Sequence, residues 1–218
     1  MKRIFALHAI LLLNLAAFSQ FHAGVQVSGA LTSANVKSKY DLDFRKTMQN
    51  GGAAGAVVQY DIDRHVSVRS GANFVRQGAK FKTQLDEFSS TTTRTTLNYL
   101  QVPLHVIYNL HLLGNRIYAG IGGYGAYGIS GNVKGTFWHY TDDGGYEVVE
   151  KLKAFKSLEK GGGNLKKGDY GISALAGFQF RNGMFLQASW QQGLSNISID
   201  RDDKYKNNGL QLTVGYFL

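Results

Sequence analysis

Arg69 and His105 are rare ionisable side chains in segments otherwise made of apolar, amide, hydroxyl and glycine residues. An imidazole near a guanidinium could handle protons. With Gln101 and Gln187 on the same kind of face, however, a satisfied interior hydrogen-bond network is the stronger reading. The stretch Phe137-Trp-His-Tyr-Thr-Asp-Asp-Gly-Gly-Tyr-Glu147 holds one histidine and three carboxylates, a donor set that could bind a metal. Asp-Asp-Gly-Gly between β-formers is also the composition of a hairpin turn, and that reading is preferred. Its aromatics Phe137, Trp138, Tyr140 and Tyr146 would supply contact area at low entropy cost, and Lys151, Lys153 and Lys156 open a basic stretch that continues through Lys160, Lys166 and Lys167. Gly120, Gly122, Gly123, Gly125 and Gly128 do not make a phosphate loop, because no helix signal follows them. The chain has no cysteine, which removes disulfides, thiolate nucleophiles and Cys-ligated metals. No catalytic, cofactor or metal set is expected.

The elements that carry these residues follow from composition. The 218 residues, with 27 Gly, one Pro and 44% hydrophobic residues, suit a single β-rich domain and exclude disorder. Mean hydropathy is −0.19, and no apolar run past the N-terminus is long enough for a transmembrane helix. The start is different: Met1, Lys2 and Arg3 precede an apolar stretch from Ile4 to Phe18, with small residues at Ala17 and Ser19. This predicts a signal peptide over 1–19, cleaved after Ser19, and a mature domain over 20–218. A pI near 9.6 would suit nucleic acid, but export argues against that partner.

From Ala23 on, eight runs alternate with period two. The clearest sets Leu100, Val102, Leu104, Val106 and Tyr108 against Gln101 and His105; in another, Arg116 to Ile129, both faces are Gly-rich and the parity stays open. Connections alternate between short turns, near 61–65, 109–115 and 181–183, and long polar stretches at about 35–50, 83–94, 132–167 and 199–207. An even strand count with short turns at one end and long loops at the other predicts an all-β, eight-stranded, antiparallel, transmembrane up-and-down barrel of the outer membrane. Ten strands are the fallback, since 132–167 could hide a further hairpin. The polar faces carry Gln, Ser, Thr, Asn and Gly while the charges crowd into the loops, as a narrow closed lumen requires. Tyr60, Tyr108, Phe180 and Tyr216 near the short turns predict an interfacial girdle. Pro103 lacks an N–H inside a strand and calls for a bulge or a lumenal water.

The stretches Leu97-Asn-Tyr-Leu-Gln-Val-Pro-Leu104, Gly120-Ile-Gly-Gly-Tyr-Gly-Ala-Tyr127, Leu165-Lys-Lys-Gly-Asp-Tyr-Gly-Ile172 and Gln192-Gly-Leu-Ser-Asn-Ile197 resemble the PorT-type outer-membrane β-barrel family of Gram-negative bacteria. The resemblance implies a barrel exposed at the cell surface, a proline at the Pro103 place, and no reaction. The expected function is a non-enzymatic barrel that binds a partner or supports the envelope through its extracellular loops. The alternatives are a subunit of a secretion or motility machine, and an outer-membrane lipid-modifying enzyme. The expected partners are outer-membrane lipid and lipopolysaccharide, with a protein or glycan at the loops. Within the long loop, the hairpin over Phe137 to Val149 competes with a helix from about Glu147 to Lys160 that Gly161 would cap.

Overall fold

The computed structural model describes residues 20–37, 45–84, 89–141, 144–200 and 203–218; the expected signal peptide over 1–19 lies outside them. Among the described residues ten strands follow one another: β1 (Phe21–Lys37), β2 (Arg45–Thr47), β3 (Gln49–Asp61), β4 (Val66–Gln84), β5 (Ser89–Leu112), β6 (Asn115–Thr141), β7 (Gly144–Lys153), β8 (Gly168–Gln179), β9 (Met184–Gly193) and β10 (Lys204–Phe217). Eight of them close an antiparallel ring in the order β1-β3-β4-β5-β6-β8-β9-β10, with β10 pairing back onto β1. Closure pairs each stave on both sides, the condition for crossing a bilayer with strands. The two remaining strands are appendages. β2 continues the line of β3 along β4 across a one-residue register shift between Thr47 and Gly52, and the strand that β7 pairs with is β6. The extra hairpin of the ten-strand fallback therefore exists, but it lies outside the ring.

Alternation places the faces. Leu100, Val102, Leu104, Val106 and Tyr108 of β5 point out, each 49–59% exposed, while Gln101 and His105 are buried inside. Tyr60, Tyr108, Phe180 and Tyr216 face out at the short-turn end, and Phe74, Tyr127, Tyr170 and Trp190 face out toward the other. Tyr170 and Phe180 lie ten residues apart along one stave; at about 3.3 Å per residue and a tilt near 40°, that projects to roughly 25 Å, the height of an outer-membrane apolar band.

The short turns are built locally. Leu113 and Gly114, with φ of 49° and 82°, form the two-residue link between the paired Leu112 and Asn115, both in the left-handed region that a tight hairpin demands. At the β3–β4 turn the Asp63 carboxylate accepts the backbone N–H groups of His65 and Val66 at 2.6 and 2.8 Å, which holds its pKa below the usual value.

Two expectations need correction, and of the two readings of the long loop the hairpin is the one that forms, as the β6–β7 pair. The long polar stretches contain much strand: β4 runs to Gln84 and β5 starts at Ser89, so the Ser89–Thr93 run expected as loop is strand, paired with β6 throughout and with β4 from Ser90 on. Threonine's branched side chain favours the extended backbone, and polarity marked these segments only as lying outside the lipid. Pro103 produces no bulge. The β4–β5 register is unchanged across it, two pairs of the ladder are simply absent, and the Ser70 hydroxyl donates to the Pro103 carbonyl at 2.7 Å. The bulge sits instead on the other side of β5, where Asn98 pairs with Ser130 and Tyr99 with Gly128, leaving Ile129 of β6 as the extra residue. Finally, the helix over Glu147 to Lys160 does not form: β7 runs to Lys153, and only a 3-10 turn follows at Leu158–Lys160. Gly161 does cap that turn, at φ 65°.

Candidate functional site

The lumen is filled in tiers. At the short-turn end Asp61 accepts hydrogen bonds from Arg116 (2.6 Å), Gln59 (2.7 Å) and Ser67 (2.7 Å), with His22 Nε2 3.2 Å away. Asn109 of β5 donates to Ser67 at 2.6 Å and ties the cluster to a fifth stave. Above it Arg69 forks: Nε and Nη2 donate to Gln59 Oε1 at 3.0 and 2.7 Å, and Nη1 donates to Gln187 Oε1 at 2.7 Å. Its guanidinium carbon lies 4.4 Å from the Tyr118 ring centre and 5.2 and 5.4 Å from those of Phe185 and Phe217. Amide oxygens and π faces thus take the charge of a group only 4% exposed, in place of a carboxylate.

His105 stands opposite Arg69 in register, and its Nε2 lies 2.7 Å from Ser173 Oγ. A Ser–His pair invites a hydrolytic reading. Both residues are buried, both face the lumen, and among the described residues no carboxylate bonds to this imidazole. Gln101 shares with His105 and Gln187 the lining of a mid-lumen void of about 40 Å³, room for about three waters. Arg69, Gln101, His105 and Gln187 therefore converge on one stretch of the lumen.

Sequence reasoning missed two features. The first is aromatic filling. Tyr99, Tyr118, Tyr124, Phe185 and Phe217 point inward, and each is opposite a glycine in register: Gly128, Gly177, Gly171, Gly215 and Gly24 respectively. The glycine leaves the space its aromatic partner needs; a Cβ at Gly215 would fall inside the Phe185 ring. This settles the open parity of the Gly-rich run, with Tyr118 and Tyr124 inside and Ile117, Ile121 and Tyr127 outside. The pairing of aromatic with glycine across strands was the available signal, and it needed the register to be seen.

The second is a plug at the long-loop end. The segment after β7 turns inward: the Ala154 N–H donates to the Gly131 carbonyl at 2.9 Å, and the Phe155 ring fills the space over Gly128. Ala154, Leu165 and Ile197 join Leu97, Tyr99 and Tyr205 in the main apolar cluster. Beneath it Asp169 accepts from Ser195 Oγ (2.5 Å) and Asn207 Nδ2 (2.8 Å). Lys166 N–H to the Ile197 carbonyl, 2.7 Å, stitches the plug to the β9–β10 connection.

Beyond the plug, β6 and β7 form an arm in which Trp138 pairs with Glu147 and His139 with Tyr146 in register. Phe137, Trp138 and Tyr140 stand on one strand and Tyr146 on the other, at least ten residues beyond Tyr127; the Asp142-Asp143 turn lies outside the described residues. Lys151, Lys153 and Lys156 are exposed where the arm meets the barrel. Among the described residues no group of three metal-ligating side chains occurs.

A closed eight-stave ring with an apolar outer band, aromatic girdles and a lumen packed with side chains among the described residues defines an outer-membrane β-barrel. The chain belongs to the family described as outer membrane protein beta-barrel domain, whose model matches residues 18–198, and its place is the outer membrane. Similar solved structures include OprG of Pseudomonas aeruginosa (13% identity, 91% of this chain and 96% of that one, TM-score 0.48). Ail, the attachment invasion locus protein of Yersinia pestis, solved with the heparin analogue sucrose octasulfate, is another (16%, 91% and 99%, TM-score 0.41). A third is Neisserial surface protein A (13%, 90% and 96%, TM-score 0.41). A comparison with curated proteins gives no match.

Proposed function

We propose that the protein is a non-enzymatic surface barrel whose β6–β7 arm binds a protein or glycan partner outside the cell. The observation that carries this reading is a paired arm, bearing Phe137, Trp138, Tyr140 and Tyr146 and flanked at its base by Lys151, Lys153 and Lys156, raised on a barrel whose lumen is filled. A filled lumen leaves no path for solute, and the Ser173–His105 pair is out of reach of one. The work is therefore left to the outer surface. Residues 1–19 direct export and are removed. The finer affiliation is PorT-type, supported by the four stretches named above; two of them, around Leu165 and Ile197, meet in the plug. Membership of a secretion or motility machine would use the same arm.

The test is photo-crosslinking in living cells with a photoreactive residue at Trp138 and, as control, at lipid-facing Leu104. A discrete adduct at 138 that is absent at 104, and lost when residues 137–148 are replaced by an Asn-Gly turn joining the paired Thr136 and Val149, is the expected result. Equal adducts at both positions would overturn the reading.

A further inference from the structure

The outer wall of β3, β4 and β5 changes character at one level. Below it Phe74, Gly52 and Ala54 line a shallow groove of about 400 Å³ that opens onto the lipid-facing surface. Above it Arg76, Lys80, Arg94, Asn50 and Thr96 line a second groove of about 450 Å³, and the two share Asn50 and Arg76. Arg76 and Lys80 lie two and six residues past the girdle aromatic Phe74 on the same face, so they stand roughly 5 to 15 Å beyond the hydrocarbon edge, at headgroup height.

The cations are stacked in register. Lys80 is opposite Arg94, Arg94 is opposite Lys134, and Lys134 is opposite Lys151. Like charges directly across strands repel. Among the described residues no carboxylate pairs with any of the four. Glu150, beside Lys151, is opposite Gly135 and so belongs to the other face of the arm. A row of cations with no carboxylate partner among the described residues, continuous with an apolar groove, calls for an anion attached to hydrocarbon.

We propose that this wall is a binding site for a phosphorylated glycolipid of the outer leaflet, the lipid A class. Arg76, Lys80 and Arg94 hold a phosphate, and an acyl chain lies along Gly52, Ala54 and Phe74. The long-loop end of an outer-membrane barrel faces the leaflet that carries this lipid, which decides for it over an inner-leaflet phospholipid. The proposal rests on the outer-membrane placement and refines the lipopolysaccharide partner expected from the sequence; it does not depend on residues 137–148 of the arm.

The experiment is native mass spectrometry of the folded, detergent-extracted full chain titrated with purified bisphosphorylated lipid A, with dephosphorylated lipid A and phosphatidylglycerol as the other arms. Wild type should retain bisphosphorylated lipid A. The triple variant Arg76→Gln/Lys80→Gln/Arg94→Gln, checked for folding by its gel mobility before boiling, should bind it roughly 100-fold more weakly. With repulsion relieved, the same variant in lipid-free detergent should be at least as resistant to urea as wild type. Undiminished binding by the variant overturns the site, and equal retention of phosphatidylglycerol overturns the glycolipid assignment. The single variants Lys80→Gln and Arg94→Gln give the same reading on a smaller scale should the triple variant misfold. Replacement of residues 137–148 should leave lipid A retention intact even if it abolishes partner crosslinking; loss of retention there would move the site to the arm and overturn the proposal.

Discussion

Arg69 is the residue on which the lower lumen turns. Its three hydrogen bonds end on two amide oxygens, Gln59 Oε1 and Gln187 Oε1, so removing the guanidinium strands the buried Gln59 oxygen and leaves Gln187 only the long 3.4 Å bond from the Tyr118 hydroxyl. Arg69→Lys keeps the charge but cannot reproduce the fork, and it should cost about 1–3 kcal/mol in urea unfolding from vesicles. A loss no larger than that of an exposed surface lysine would show that the fork contributes nothing. Ser70 supports the strand at its one proline. Ser70→Ala leaves the Pro103 carbonyl without its hydroxyl donor and should cost about 1 kcal/mol, while Pro103→Ala should be close to neutral. The same pair of unfolding curves checks both, and the reverse order would contradict the role given to Ser70. Sequence alone placed Arg69 and His105 inside, because period two assigns a face to every residue of a strand. It could not say that Arg69 would meet Tyr118, Phe185 and Phe217, since those partners come from three other staves.

At the scale of elements, five inward aromatics, Tyr99, Tyr118, Tyr124, Phe185 and Phe217, each borrow the space of a glycine on the neighbouring strand. Gly215→Ala drives a Cβ into the Phe185 ring and should cost roughly 1–3 kcal/mol. Phe185→Leu in the same chain should recover part of that loss, and strict additivity of the two changes would refute the pairing. The plug is the second element-scale feature. Ile197 is wholly buried in it, so Ile197→Ala should cost about 2–5 kcal/mol, seen as earlier loss of heat-resistant gel mobility. The staves were legible because lipid and lumen impose opposite polarities on alternate residues. The plug was not, because Ala154, Phe155 and Leu165 follow no period and take their place only through contacts with β6 and the β9–β10 connection. Nor were the strand extensions, where polar composition without an apolar face reads as loop.

For the molecule as a whole, eight staves around filled tiers leave no channel, and planar bilayers should show no large, stable conductance; porin-like currents would contradict the tiers. The central claim is that this ring stands in the outer membrane with one face to lipid and the other to its own lumen. The chain contains no cysteine, so single cysteines can be placed without background. The most direct measurement is a fluorophore scan from 100 to 108 on β5, reconstituted in vesicles of lipids brominated on the acyl chain. Quenching should alternate with period two, strong at positions 100, 102, 104, 106 and 108 and weak at 101 and 105. A flat profile, or strong quenching at 101 and 105, would contradict the account.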